Sequence, residues 1–91
     1  MSIDVRHDSA AHVFVALVDG ERCFLDYGLS GTEMTIHHTE VPSAVGGRGI
    51  AGELMRAALA TARAEGWKVV PACSYARVFI DRHAEYADLL A

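Results

Sequence analysis

VGGRGIAG, residues 45–52, is the stretch of sequence that decides the fold. Before it, a β-rich run over residues 33–41 ends at Pro42, which has no N–H to donate to a sheet. After it, apolar residues recur at helical spacing over residues 49–65. A short apolar run, residues 68–72, comes next. The order strand, loop, helix, strand predicts a right-handed parallel crossover.

The residues before this unit predict an antiparallel meander. Asp19-Gly20 joins two β-rich runs, residues 12–18 and 22–27. This dipeptide is a strong hairpin signal because both turn residues take positive φ. A short edge strand is expected near residues 3–6, and a second helix over residues 74–83. An antiparallel meander, a β-α-β crossover and a C-terminal helix give an α+β (mixed α/β) fold.

Side chains should alternate between the two faces of the third strand. One face is expected to carry Met34, Ile36, His38 and Glu40, and the other Thr35, His37, Thr39 and Val41. His37 and His38 would then point apart and could not share one ion. Because the histidines and cysteines also lack the spacings typical of metal ligands, we expect no metal site.

Composition and charge narrow the classes of function. A chain of 91 residues predicts a single domain, residues 1–91, and its hydrophobic share of 52% is typical of a folded globule. The formal net charge of −4 argues against a nucleic-acid partner. The longest purely apolar run, residues 13–18, is too short to span a membrane, and the charged start predicts no targeting segment. Two cysteines, Cys23 and Cys73, fit a reducing cytosol, so we expect a cytoplasmic protein.

The four glycines of the loop favour the binding of a phosphate group there. They let the backbone turn sharply and let a ligand approach the main chain. The first N–H groups of the following helix have no partner within the helix, so an anion such as pyrophosphate is favoured there. Arg48 can add a charge-assisted contact. A flexible loop without a ligand is the alternative. The loop lacks Gly-Lys-Ser/Thr, and the antiparallel strands before it do not suit a dinucleotide fingerprint.

These residues resemble the GNAT acetyltransferases, whose pyrophosphate loop follows the pattern Gln/Arg-x-x-Gly-x-Gly/Ala. Gly49 and Ala51 fit the last two defined positions, whereas Gly46 stands where Gln or Arg is expected. The chain is still more similar to a small GNAT-like subfamily of N-acetyltransferase domains. The resemblance covers nearly the whole chain from Val13 onward, and the stretches that carry it are residues 38–42, 47–52, 70–75 and 82–89.

The resemblance implies that acetyl-CoA is the co-substrate. In GNAT proteins the strands on either side of the crossover helix splay apart, and the pantetheine arm lies between them. In this chain those strands would end at Val41 and Cys73, with the thioester near residues 39–41 and 73–75. The subfamily lacks the helices that usually help to hold the acceptor. The expected cofactor-binding residues are Thr39, Val41, Gly46, Gly47, Arg48, Gly49, Ile50, Ala51, Gly52 and Ser74.

Four side chains near that thioester are candidates for the chemistry. Cys73 precedes a helix, a position that favours a thiolate; it could accept the acetyl group, touch the thioester or simply be a small buried residue. Glu40 is the best general base for deprotonating an amine, with His38 as a proton relay. Their alternatives are a solvent-facing carboxylate and a half-buried histidine. Tyr75 could protonate the leaving thiolate, as a tyrosine often does in GNAT enzymes, or pack against the sheet.

Together these features predict a minimal GNAT-like domain that transfers an acetyl group from acetyl-CoA to a primary amine on a small molecule or a protein. A domain that holds coenzyme A or acyl-CoA without turnover is the first alternative. A small scaffold that docks a partner protein is the second. Direct transfer and an acetyl-cysteine intermediate both stay open at this point.

Overall fold

A computed structural model describes residues 3–91, which form a five-stranded sheet and two α-helices. The strands lie across the sheet in chain order; the first four are antiparallel and the fifth is parallel to the fourth. The predicted α+β fold is confirmed. The elements are β1 (Arg6–Asp8), β2 (Val13–Val18), β3 (Glu21–Ser30), β4 (Glu33–Glu40), a 3₁₀ turn (Ser43–Val45), α1 (Ile50–Glu65), β5 (Lys68–Pro71), α2 (Ser74–Arg82) and a second 3₁₀ segment (Ala84–Leu89).

Turn residues explain where β2 ends and where α1 stops. Asp19 and Gly20 turn the chain between β2 and β3 with φ of 51° and 78°, as an Asp-Gly hairpin requires. Gly66 ends α1 with a φ of 75°, and its N–H donates to the carbonyls of Ala62 and Arg63. Glycine adopts this left-handed conformation at little cost, so the helix stops there.

Two segments differ from the prediction made on sequence. The edge strand β1 lies at Arg6–Asp8 rather than at residues 3–6, because His7 pairs with Phe14 in an antiparallel register. A 3₁₀ turn follows Pro42 and buries Val45, which is 2% exposed. This turn anchors the start of the glycine loop to the core.

One face of the sheet, called here the inner face, packs against the helices. Helix α1 lies against β2, β3, β4 and β5, and α2 packs on α1, β4 and β5. Leu54 and Leu59 of α1 are fully buried in one cluster with Leu25 and Ile36 of the sheet. Burying each such side chain contributes about 1.5–3 kcal/mol. The opposite, outer face carries Leu17, which is 73% exposed.

A β-bulge at His37 gives β4 one residue more than its partner strand. Tyr27 pairs with Ile36, but the next residue of β3, Asp26, pairs with His38. A bulge of this kind reverses the alternation of side chains beyond it.

The bulge overturns part of the face assignment made from the sequence. Thr39 pairs with Leu25 and therefore turns to the inner face, on which Ile36 also lies. His38 and Glu40 turn to the outer face. The prediction that these two residues share a face is confirmed, but the prediction that they share it with Ile36 is wrong.

Burial of α1 can be tested with a pair of identical substitutions. Leu54 is fully buried, whereas Leu17 is 73% exposed. We expect Leu54→Ala to lower the free energy of unfolding by about 2–5 kcal/mol, since it leaves a cavity. Leu17→Ala should change it by no more than about 0.5 kcal/mol. Urea denaturation followed by circular dichroism measures both, and equal losses would contradict the assignment of the inner face.

Candidate functional site

The strands β4 and β5 part in the middle of β4. Their parallel pairing ends at Ile36 and Pro71. The Ile36 carbonyl then accepts hydrogen bonds from the N–H groups of both Ala72 and Cys73, each at 3.1 Å. Beyond this point β4 continues over residues 37–40 and pairs only with β3 among the described strands. The result is a gap with one free strand edge, open to an extended ligand.

Thr39 and Cys73 meet across this gap. The Thr39 Oγ1 lies 3.8 Å from the Cys73 Sγ, because the bulge has turned Thr39 inward. Cys73 is the N-cap of α2, and its Sγ accepts a hydrogen bond from the Ala76 N–H at 3.4 Å. The structure therefore brings together two of the residues predicted to lie near the thioester, at the start of α2.

The glycine loop leaves the N-terminus of α1 uncapped. Gly47 and Gly49 have φ of 79° and 76°, and Gly49 is the N-cap without any side-chain hydrogen bond. The first backbone bond back into this turn comes from the Glu53 N–H to the Gly49 carbonyl, at 3.2 Å. The N–H groups of residues 50–52 precede it and have no acceptor within the helix. A Cβ built on Gly47 or Gly49 would meet no atom within 4 Å, so the space beside the loop is open.

Arg48 makes a contact that the sequence did not predict. Its Nη1 donates to the Oδ2 of Asp19 at 2.7 Å, so the loop is tied to the β2–β3 turn. The Asp19 side chain is 66% exposed, and such a surface pair contributes about 0–1 kcal/mol. No local signal in the sequence links residues 29 positions apart.

Tyr75 lies where the first turns of α1 and α2 meet. Its hydroxyl is 3.7 Å from the position that a Cβ on Gly52 would take, so the absence of a side chain there permits the close approach. Desolvation raises the pKa of Tyr75 above its ordinary value of 10.0, Arg56 lowers it and Cys73 raises it. The net direction is upward, so the phenol keeps its proton at neutral pH. Tyr75 therefore has a proton to give, and its hydroxyl lies beside the first turn of α1.

His38 and Glu40 form a second group, on the outer face. The His38 Nε2 lies 3.2 Å from the Glu40 Oε1, and the two side chains are 56% and 57% exposed. The His38 ring lies beside Phe24, with 5.9 Å between ring centroids. This pair flanks Thr39 in the chain but projects to the other side of the sheet from it. The predicted catalytic residues thus form two groups on opposite sides of the free edge of β4.

The remaining predicted cofactor residues line the loop in different ways. Ile50 is 2% exposed, so its side chain belongs to the core and only its amide can face a ligand. Val41 is half-buried against the core, and Ser74, the first residue of α2, is exposed. A groove between α1 and α2 was not predicted, since its lining residues, among them Arg82, come together only through helix packing.

The histidines of β4 were expected on opposite faces, and that expectation is wrong. The His37 Nε2 lies 2.8 Å from the position of a Cβ on Gly28, which places this ring over the outer face, where His38 also lies. Residues 3–91 hold no group of three or more His, Cys, Asp or Glu side chains that could bind a metal ion. Across the same residues, no helix has both the length and the hydrophobicity to cross a membrane.

Comparison with known proteins supports the family resemblance described from the sequence. A family model described as GCN5-related N-acetyl-transferase matches residues 13–89. Protein NATD1 of Gallus gallus is 36% identical over 81 residues, which cover 86% of this chain and 74% of that protein. A Staphylococcus aureus protein solved by NMR and described as GCN5-like has 23% identity and a TM-score of 0.77, over 97% of this chain and 87% of that one. The similarity to the Staphylococcus aureus protein, at 23% identity, shows the fold alone.

The two cysteines should differ in reactivity. Cys23 is fully buried, and desolvation, with a smaller effect of Glu21, raises the pKa of its thiol above 9.0. The thiolate is the reactive form, so Cys23 stays inert at pH 8. Cys73 is half-buried beside the gap. We expect iodoacetamide at pH 8 to modify one thiol in the folded protein, Cys73, and to reach Cys23 only after denaturation. Peptide mapping measures both; equal labelling in the native state would contradict the site geometry.

Proposed function

This chain belongs to the GCN5-related N-acetyltransferase family, and on that premise we propose that residues 1–91 form one domain that binds acetyl-CoA and transfers its acetyl group to a primary amine. The observation that carries the proposal is the position of an uncapped helix N-terminus beside two parted strands. The first suits a pyrophosphate, and the second suits an extended chain with amide groups.

The loop supplies the phosphate contacts. The N–H groups of residues 50–52 have no helical acceptor, and the α1 dipole is positive at this end. The left-handed Gly47 and Gly49 keep side chains away from the space that a pyrophosphate would occupy. Backbone donors at a helix N-terminus bind phosphate without further side chains. Because backbone amides suffice, phosphate binding is compatible with glycine at position 46, where related loops have Gln or Arg. For the same reason Arg48 need not contact the phosphates and can pair with Asp19.

The gap holds the pantetheine arm. The amide groups of the pantetheine arm pair with the free edge of β4 over residues 37–40, as a peptide pairs with an exposed strand. The thioester then lies beside Thr39 and Cys73, at the N-terminus of α2. The amine approaches from the outer face, where Glu40 and Asp26 add negative charge that complements an ammonium group.

Direct transfer fits the two groups of side chains. Glu40 takes a proton from the ammonium, and His38 hands that proton on to solvent. The amine lone pair attacks the thioester carbonyl carbon, and the tetrahedral intermediate then breaks its C–S bond. Before that bond breaks, the nitrogen of the intermediate gives its second proton to Glu40, which has been freed again through His38. Tyr75 gives its phenolic proton to the departing thiolate and regains one from solvent, so an amide, free coenzyme A and one net proton result. The base lies on one side of the free edge and the acid on the other, so the two proton transfers are assigned to separate side chains.

Cys73 acts in this scheme as a helix cap that touches the thioester. Its Sγ is engaged with the Ala76 N–H, and Thr39 lies against it. Sulfur is a weak acceptor, so this cap contributes less than the approximately 0.5–2 kcal/mol of a Ser, Thr, Asn or Asp cap. These contacts give Cys73 a structural reason to be present without a covalent step.

Paired glycine substitutions test the binding site. Gly49 and Gly66 have φ of 76° and 75°, and neither has an atom within 4 Å of an added Cβ. Gly49→Ala and Gly66→Ala should therefore each cost about 1 kcal/mol of stability. We expect only Gly49→Ala to weaken acetyl-CoA binding, by about tenfold or more, because it obstructs the phosphates. Calorimetry measures the affinity, and NMR titration of the parent should shift the amides of Gly47, Gly49 and Ala51 most. Equal affinities for the two variants would place the ligand elsewhere.

The catalytic route is tested with acetyl-CoA and a panel of primary amines. We expect Cys73→Ser, which preserves a good helix cap, to keep most of the thiol release and to leave no difference in intact mass without acceptor. Glu40→Gln should lower the rate about 10²–10⁴-fold at neutral pH, as loss of a general base does. Glu33→Gln, at the other end of β4, is the matched control and should not change it.

Three results would change this assignment. Stoichiometric acetylation of Cys73 in the absence of acceptor, lost together with turnover in Cys73→Ser, would establish an acetyl-cysteine intermediate. Binding of acetyl-CoA with no thiol release for any amine would identify a coenzyme A-binding module. Failure of acetyl-CoA to bind would favour a protein-docking scaffold.

A further inference from the structure

A cavity lies on the outer face of the sheet, at the side formed by β1 and β2, and is called here the outer cavity. It has a volume of about 290 Å³, and its lining residues are Asp4, Arg6, Val15 and Leu17. Leu17 is 73% exposed, more than any other large hydrophobic side chain of the described residues. One exposed leucine needs no explanation by itself. This one, however, forms a wall of a cavity on the face from which the proposed acceptor approaches.

Strand pairing connects the outer cavity to Glu40. Arg6 of β1 pairs with Val15 of β2. Val15 in turn pairs with Phe24 of β3, and Phe24 pairs with Glu40 of β4. Paired residues share a face of the sheet, so these four side chains form one row across the outer face. Neighbouring strands are about 4.8 Å apart, so Val15 and Glu40 are separated by roughly 10 Å. A short ligand can therefore contact the proposed base with one end and the outer cavity with the other.

The surface between the outer cavity and Glu40 is apolar, and it is called here the apolar strip. Val15 and Phe24 occupy the middle of the row, and both are half-buried. Leu17 lies two residues beyond Val15 on the same strand and the same face, so it widens the apolar strip at the cavity. A hydrocarbon chain that covers such a surface gains about fourfold in affinity for each methylene that is fully buried. A ligand that extends from Glu40 to the outer cavity should therefore have an apolar tail.

The charges along the apolar strip favour an acceptor with a single positive charge. The Arg22 guanidinium lies over the Phe24 ring, 4.8 Å from its centroid, and the ion pairs of the described part of the chain do not include it. At the cavity, Arg6 pairs with Asp4 at 3.2 Å, so these two groups add no net charge. Glu40 is the carboxylate at the opposite end of the row. A second ammonium group at the cavity would lie on apolar surface and near the positive charge of Arg22, which is unfavourable.

We propose that the outer cavity selects the acceptor, by holding the apolar tail of a primary monoamine whose ammonium group lies at Glu40, roughly 10 Å away. Leu17 and Val15 contact the tail, and Arg22 disfavours a second cationic group at that end. This inference rests on the proposed function, for which it names the class of acceptor as apolar monoamines rather than polyamines. The reaction is the acetyl transfer described above, and the acceptor tail takes no part in bond making or breaking.

Butylamine, octylamine and 1,8-diaminooctane test the inference as acceptors. Thiol release at saturating acetyl-CoA gives kcat/KM for each amine. The parent should use octylamine about tenfold better than butylamine, through a lower KM, because only the longer chain reaches the outer cavity. 1,8-Diaminooctane has the same length as octylamine but a cationic end, so its kcat/KM should fall to about that of butylamine.

Substitutions at Leu17 locate the effect. Leu17→Ala should lower the preference for octylamine over butylamine to about twofold, whereas Leu17→Met, which keeps a large apolar side chain, should retain it. Thr35→Ala, on the outer face at the other end of β4, is the control and should leave the preference unchanged. Circular dichroism checks that each variant is folded, and calorimetry checks that each binds acetyl-CoA as the parent does.

The outcomes that would overturn the assignment are distinguishable. Equal use of butylamine and octylamine by the parent, or a full tenfold preference in folded Leu17→Ala, would exclude the outer cavity as part of the acceptor site and leave the proposed function intact. Better use of 1,8-diaminooctane than of octylamine would overturn the charge argument and indicate a polyamine acceptor. Failure of acetyl-CoA to bind, or of any amine to release thiol, would overturn the proposed function together with this inference.

Discussion

The separation of β4 from β5 at Ile36 is the constraint on which the candidate site depends. One carbonyl accepts two N–H groups, from Ala72 and Cys73, and pairing cannot continue beyond it. The bulge at His37 occurs at the same place on the other edge of β4 and turns Thr39 toward the helices. Bulges commonly lie beside functional sites, where they redirect a side chain or end a ladder. A free strand edge, an inward Thr39 and a cysteine cap on α2 all follow from this local departure from regular pairing.

The N-terminus of α1 lacks the stabilisation that a side-chain cap would give. A serine or aspartate at the N-cap would contribute about 1 kcal/mol by satisfying an amide, and Gly49 contributes no such bond. The deficit is small beside the burial of the apolar face of α1, which includes Leu54, Met55 and Leu59. The 3₁₀ turn that buries Val45 and the ion pair of Arg48 with Asp19 hold the loop at its two sides. The amides are therefore available to a ligand while the backbone that carries them is fixed.

Signals confined to a few neighbouring residues predicted most of the fold. Asp19-Gly20 specifies its own hairpin, and the spacing of apolar residues before Gly66 specifies α1, so the crossover to β5 could be predicted. The bulge could not be predicted, because one extra residue leaves no recognisable pattern within a β-rich run. Its effect on the free energy of the sheet depends on the strand that pairs with it. The face of Thr39 was predicted wrongly for that reason. Contacts of the site that join distant segments, such as Arg48 with Asp19, depend on tertiary packing and left no pattern along the chain.

The charge distribution of this acidic domain is compatible with the polyanionic co-substrate proposed above. At physiological ionic strength the Debye length is about 8 Å, so carboxylates elsewhere on the surface are largely screened from the loop. A phosphate at the loop would meet the positive end of α1 and the two arginines of the groove between α1 and α2, Arg56 and Arg82, and no carboxylate lines that groove. Two carboxylates of the neighbouring strands, Glu40 and Asp26, lie on the outer face, across the sheet. Positive charge on the helix side would thus attract the anionic thioester, and negative charge on the outer side would attract the ammonium group. The two substrates would then meet at the free edge of β4.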